Sequence, residues 1–302
     1  MTSVDLHIPN EWSTLRKVVL GHGRDMGPPP VLQEAYDPTS KWHLARGTFP
    51  RQDDVAKQLD GLSEVLAAEG VEVLRPHNIP GVEQIFARDV GVVIDGVFIR
   101  SRTIDERSQE WEGVAPLLPK GHWLDLPADV QLEGGDVVVT GDAILVGVTR
   151  NKAWLDLQVA RTTASALDFL KQQFPHRAVV GIALSKDDED PLKCALHLDC
   201  AYMPLGGGEA IVCPAFFEEE SELGYLNSLH TTLIEVSAQE AAQLQTNLLH
   251  LAPDTLLIDP QFERLSQVLQ DKGYRLVHCP MDCVGRMGGL FRCTTLPLLR
   301  RD

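Results

Sequence analysis

Six cysteines occur in this 302-residue chain, and the last of them stands apart. Cys293 closes the run Met287-Gly288-Gly289-Leu290-Phe291-Arg292-Cys293-Thr294-Thr295-Leu296-Pro297. Glycine is wanted where backbone comes close to something. A thiol just behind a glycine pair therefore reads as a thiol presented to a ligand, against the commoner use of a free cysteine as packing. A nucleophilic thiol needs a base, and His197-Leu198-Asp199 offers one. Written as a strand, it turns His197 and Asp199 to one face. The plainer alternative is a histidine satisfied by a neighbouring carboxylate in a half-buried sheet. Glu133-Gly134-Gly135-Asp136 flanks two glycines with two acids, one of which could orient and charge-stabilise the histidine as the third member of a triad does. A turn with solvated acids fits the same letters. Arg88-Asp89 places an acid before an apolar run, as a strand cap or a ligand group.

The elements that must position these groups recur. A strand-like run, a Gly or Asp turn and a second strand-like run begin at Arg88, Glu133, Leu196 and Asn247, spaced 45, 63 and 51 positions apart. Such uneven spacing fits a repeated supersecondary unit with variable loops and excludes a regular solenoid. Helical patterns intervene. Val55–Glu69 carries Val55, Leu59, Leu62, Leu66 and Ala67 on one face and stops at Gly70; Lys152–Phe174 stops at Pro175; Phe262–Asp271 stops before Gly273. Strand-like runs follow at 71–74, 178–180 and 274–277. The unit reads strand–turn–strand–helix–strand, and four or five copies predict an α/β closed array with loops converging on one axis. An ordinary mixed sheet covered by helices is the alternative. No linker divides the chain, so 1–302 reads as a single domain. Ser185–Pro191 reads as a solvated acidic loop.

Asp89, Glu133, Asp136 and Asp199 all open repeat units, and in a circular array equivalent positions face one axis. Clustered acids are costly unless a cation compensates them. A planar guanidinium matches paired carboxylates. The composition agrees: 44% hydrophobic residues give a sizeable core, while a net charge of −16 and a pI of about 5.0 argue against nucleic acid and anionic membranes as partners. No run approaches the roughly 20 apolar residues of a membrane span. The opening Met1-Thr2-Ser3-Val4-Asp5-Leu6-His7 lacks the basic and apolar regions of an export signal, so free thiols and a cytoplasmic location are expected.

Taken together, these motifs resemble the guanidino-group-modifying superfamily of arginine deiminases, dimethylarginine hydrolases and glycine amidinotransferases. Phe86-Ala87-Arg88-Asp89, Glu133-Gly134-Gly135-Asp136, His197-Leu198-Asp199 and Gly288-Gly289-Leu290-Phe291-Arg292-Cys293 match its four signatures in order, and Pro9-Asn10-Glu11-Trp12 through Gly21 is similar to its opening strand as amidinotransferases write it. The resemblance implies a five-bladed ββαβ propeller, a pentein, with no cofactor and no resident metal. It implies that Cys293 attacks the guanidinium carbon and that His197 protonates the departing amine and then activates the acceptor. Asp136 or Glu133 would partner the histidine, with Asp136 favoured. Asp89 and Asp199 would grip the guanidinium, and Arg107 and Arg150 would take a substrate carboxylate. The partner is then a small cationic guanidino substrate, with a homo-oligomer open. Chain length favours a hydrolase, transferring to water; the N-terminal motif favours an amidinotransferase, transferring to an amine. Two other classes stay in view: a zinc module built on His278, Cys279, Cys283 and Cys293, whose spacing lacks any CxxC pair, and an inactive binding protein.

Overall fold

A computed structural model describes residues 5–301; Met1–Val4, and with them part of the export-signal reading, lie outside the described residues, as does Asp302. Among the described residues, fifteen strands form five separate three-stranded sheets. In chain order they are β1 (Leu15–Leu20), β2 (Glu72–Leu74), β3 (Gly91–Ile94), β4 (Val97–Arg100), β5 (Trp123–Leu124), β6 (Val137–Val139), β7 (Ala143–Val148), β8 (Ala178–Ala183), β9 (Tyr202–Gly206), β10 (Glu209–Val212), β11 (Thr232–Glu235), β12 (Leu249–Ala252), β13 (Thr255–Ile258), β14 (Arg275–His278) and β15 (Thr295–Arg300).

Every sheet has one plan. The first two strands pair antiparallel and a helix leads to a third strand that pairs parallel with the second, as in β6-β7-β8 and β12-β13-β14. The fifth sheet completes the four copies visible in the sequence by joining the chain ends. β15 pairs antiparallel with β1, which pairs parallel with β2. Strand periodicity explains how the sheets stack. Val137 and Val139 of β6 pack with Val92, Ile94 and Ile99 of β3 and β4, while Val138, pointing the other way, joins a core with Tyr202, Met203 and Ile211 of β9 and β10. A strand buried on both faces has no reason to alternate apolar with polar residues, which is why Val137-Val138-Val139 is uninterrupted.

The helix Gln52–Ala68 buries Val55, Leu59, Leu62 and Leu66 completely, as their spacing predicts, but Ala67, read onto the same face, is exposed because it lies about 100° round the helix from Leu66. It ends as Gly70 takes φ +79°, a left-handed conformation that suits glycine. The helical reading of Lys152–Phe174 is corrected: the helix spans only Ser165–Gln173, after a short 3-10 turn at Lys152–Trp154 and irregular chain. Side chains hold that irregular stretch. Asp188 accepts from the backbone N–H groups of Gln158 and Val159, so the acidic loop is an anchor as well as a solvated edge. Lys186 within it is buried, donating to the carbonyls of Ala195 and Leu196. Among the described residues, no helix is long and apolar enough to cross a membrane, and all six cysteines are free.

Candidate active site

The units open on tight turns rather than on their strands. Ala87–Val90 precedes β3, Gly134–Asp136 precedes β6 and Leu198–Cys200 precedes β9, all 3-10 turns, while one helical turn, Phe291–Thr294, precedes β15. This corrects the strand reading of His197-Leu198-Asp199. His197 is extended, and the chain then turns as Cys200 N–H donates to the His197 carbonyl. The turn is fixed from outside by Asp136, whose Oδ1 accepts from Leu198 N–H at 3.0 Å. His197 and Asp199 therefore reach different partners.

His197 is buried, with Nε2 2.8 Å from Glu133 Oε2 and Nδ1 3.6 Å from Asp89 Oδ1. Glu133, not the favoured Asp136, is thus the carboxylate bonded to the imidazole. Burial alone would lower the histidine pKa, but Asp89, Asp136 and Glu133 outweigh it and raise it to about 10. Burial would raise Glu133, yet Arg161, His197 and Arg107 bring it down to about 2. Burial raises the Asp136 pKa from its ordinary value. Gly135 is obligatory here: a Cβ would stand 2.7 Å from both Asp89 Oδ1 and the His197 Cγ.

Cys293 Sγ lies 3.7 Å from Asp199 Oδ2 and 3.1 Å from Asn247 Nδ2. A contact with the Cys200 thiol, burial and the Asp199 charge push its pKa well up, so the free thiol is protonated at neutral pH. The Asp89 charge acts on both the thiol and the imidazole. The glycine pair serves the fold as well as the site. Gly288 adopts φ +93° against the Asp37 carboxylate, and a Cβ on Gly289 would meet Cys293 Cβ at 2.7 Å. The site is closed: Cys293, His197 and Asp199 are all buried, and a cavity of about 20 Å³ reaches Cys200, Asp37 and Gly288.

The acids already have cations. Arg107 is buried, donating to Asp89 Oδ2 at 2.7 Å, to Glu110 at 2.6 and 2.9 Å and to the Phe86 carbonyl. Arg161 pairs with Glu133, and Arg292 donates to Asp199 at 2.8 Å and to both oxygens of Glu11. The expectation that clustered acids demand an external cation is therefore met in large part by the protein's own arginines. Arg107 is spent on protein carboxylates. Arg150, half-exposed, pairs with Glu222 and the Gly181 carbonyl and is not brought to these groups. Asp89, Glu133 and His197 are, among the described residues, a group close enough to share an ion. Asp89 and Glu133 within this group are already paired with Arg107 and Arg161. The zinc set at 278, 279, 283 and 293 is not gathered into such a group.

Sequence reading passed over Arg292, Glu11, Asn247, Arg161 and Glu110. Three had a signal. Arg292 adjoins the thiol, Glu11 lies in the opening motif, and Asn247 begins the fourth unit.

Residues 48–300 match the family model described as N,N dimethylarginine dimethylhydrolase, eukaryotic, a span holding Asp89, Glu133, His197 and Cys293. The chain belongs to the guanidino-group-modifying superfamily. It is 29% identical over 243 residues to YkgA of Bacillus subtilis (strain 168), covering 77% of this chain and 78% of that protein. Superfamily structures share its fold. An amidinotransferase of the saxitoxin biosynthetic pathway from Microseira wollei, 20% identical, superposes with a TM-score of 0.78 over 98% of both chains. The inosamine-phosphate amidinotransferase of Streptomyces griseus, 18% identical, gives 0.74 over 98% of this chain and 97% of its own. The N-terminal domain of ArgZ, a cyanobacterial arginine dihydrolase, gives 0.76 at 18% identity over 94% and 97%. As a guanidino-modifying enzyme, the chain thus shares its fold with members that run either reaction.

Proposed function

We propose that this protein is a cysteine-dependent hydrolase of a small guanidino compound, arginine or a methylated arginine, acting through a covalent amidino intermediate on Cys293. The observation that carries this reading is the dimethylarginine hydrolase family match, which spans both His197 and Cys293. We read the five like-ordered sheets as blades of a propeller about the axis where the unit-opening turns meet, with the chain as one catalytic domain.

A guanidinium is a poor electrophile because its charge is delocalised, and thiolate attack splits one hard step into two easier ones. Cys293 releases its proton to solvent as the cationic substrate arrives, His197 being already protonated. Its sulfur bonds to the guanidinium carbon, the C–N bond breaks, and His197 gives a proton to the departing amine. We assign this transfer to Nδ1, a reading supported by Nε2 being held by Glu133 at 2.8 Å while Nδ1 faces Asp89 at 3.6 Å. Water then attacks the amidino carbon, neutral His197 takes its proton, and the ureido product leaves as the C–S bond breaks. Asp199, beside the sulfur, and Asp89, beside the imidazole, hold the substrate nitrogens. Because each already bears an arginine, they bind through their remaining lone pairs, and the closed site opens to admit the substrate.

A second reading, transfer to an amine, is favoured by the amidinotransferase of Microseira wollei, alike over 98% of this chain and so including the segment that carries Glu11. Incubation with arginine, N-methylated arginines and other guanidino compounds, with and without glycine or ornithine, tests both. Ureido product without added amine means hydrolysis; a guanidinylated acceptor means transfer. Cys293→Ser should abolish either, and a fully active Cys293→Ser protein would overturn the mechanism.

A further inference from the structure

Asn247 opens the fourth unit two residues before β12 begins, as Asp89 stands two residues before β3 begins. It is completely buried. Its side-chain oxygen accepts from the backbone N–H groups of Cys293 at 3.0 Å and Leu290 at 3.2 Å. Its backbone carbonyl accepts from Arg292 N–H at 3.3 Å. One residue thus gathers three N–H groups of the turn that carries the nucleophile. The chain reaches Asn247 through Leu244, which is left-handed at φ +69°, and Asn247 N–H closes onto the Leu244 carbonyl.

These contacts decide which way the amide points. Carbonyl and amino ends of an asparagine are distinguished by their partners. Two backbone donors on one side require the oxygen there, so the NH₂ must be the end that faces Cys293 Sγ, at 3.1 Å. An amide NH₂ has nothing to accept with. It can only donate, and a donor favours the ionised form of the group it faces. The carboxylates of Asp199, 3.7 Å from the sulfur, and of Asp89 oppose a thiolate. Asn247 is the neutral donor set against them.

We propose that Asn247 is a catalytic residue of the guanidino-modifying reaction, donating a hydrogen bond that stabilises the Cys293 thiolate while its oxygen fixes the nucleophile turn. The proposal rests on the assignment of Cys293 as nucleophile. Asn247 serves the attack, when sulfur carries negative charge, and serves it again when the amidino carbon releases the sulfur.

The test separates the two ends of the amide. Asn247→Asp keeps an oxygen for the two backbone N–H groups and replaces the donor with an acceptor. Thiolate formation is followed by ultraviolet difference titration against Cys293→Ser, a readout that needs neither substrate nor access for a reagent. Asn247→Asp should move the Cys293 titration upward by about one pH unit or more, roughly tenfold in thiolate population at a given pH, and should lower kcat more than it raises KM. An unchanged titration in a folded variant overturns the donor role. If Asn247→Asp does not fold, Asn247→Ala carries the same reading, again with an upward shift expected and an unmoved titration fatal. Should the wild-type protein turn over no guanidino compound, the functional reading fails, whereas a normal wild type with an unmoved variant titration fails this inference alone.

Discussion

His197 and Glu133 form a buried ion pair, Nε2 to Oε2 at 2.8 Å, with the imidazole raised to about 10 and the carboxylate lowered to about 2. The pair joins two units, since Glu133 precedes the Gly134–Asp136 turn and His197 precedes the Leu198–Cys200 turn. Arg161 extends it, donating to Glu133 and to the Tyr36 carbonyl.

Glu133→Gln and Asp136→Asn should therefore differ. Losing Glu133 strips His197 of its hydrogen-bonded anion and leaves Arg161 buried without its carboxylate, at a cost of about 3–5 kcal/mol. Turnover should fall by about 100-fold or more, the usual share of a positioned acid–base group. Asp136→Asn keeps an oxygen for Leu198 N–H and should cost less of both. Thermal unfolding and kcat, measured on both variants, check the order; a greater loss with Asp136→Asn would restore the preference for Asp136.

The raised imidazole also sets a pH dependence of stability. A group whose folded pKa lies above its unfolded value of 6.5 stabilises fully below that value and loses the contribution as pH rises through about 10. Glu133 acts in the opposite sense, stabilising above its ordinary 4.5 and losing the contribution as pH falls toward about 2. The two describe one pair and count once. Urea unfolding of wild type and His197→Gln should show a gap on the order of a few kcal/mol near pH 6 that narrows between pH 7 and 10. A gap that widens over that interval would mean that His197 is not held as an imidazolium.

Asp89→Asn removes the carboxylate whose charge raises His197 most. The alkaline limb of the pH–rate profile should move down. If Asp89 also holds the substrate, KM for the guanidino compound should rise in the same variant. A limb that stays in place would separate Asp89 from the imidazole.

Arg292 spends all its N–H groups, on Glu11, Asp199 and the Gly135 and Val137 carbonyls. Lysine has three donors on a point charge and cannot reproduce a planar fork. Arg292→Lys should lower stability by about 2–4 kcal/mol, near the cost of breaking a buried pair, and should reduce turnover because Asp199 beside the sulfur loses its anchor. Denaturant midpoints and kcat measure both.

Glycine variants offer a steric check. Gly135→Ala should destabilise by about 1–3 kcal/mol, as overpacking does, and displace the imidazole that a Cβ would meet. Gly61→Ala, inside the helix Gln52–Ala68 with nothing within 4 Å, should stabilise by roughly 0.5–1 kcal/mol.

The sequence by itself determined the repeat, its α/β unit, the family and the residues that open the units, because turn glycines and strand periodicity are local and leave local marks. Val55, Leu59, Leu62 and Leu66 foretold a helix face for the same reason. Tertiary structure alone decided the partners. Whether Glu133 or Asp136 meets His197 depends on a turn of three residues, Gly134–Asp136, whose two ends point at different neighbours. The fifth sheet needs β15 and β1, from opposite ends of the chain, to pair. The compensation of the acids by Arg107, Arg161 and Arg292 was illegible for the same cause: an arginine reaches its carboxylate through space, and in sequence Glu11 and Asp199 lie 281 and 93 residues from the arginine that holds them both.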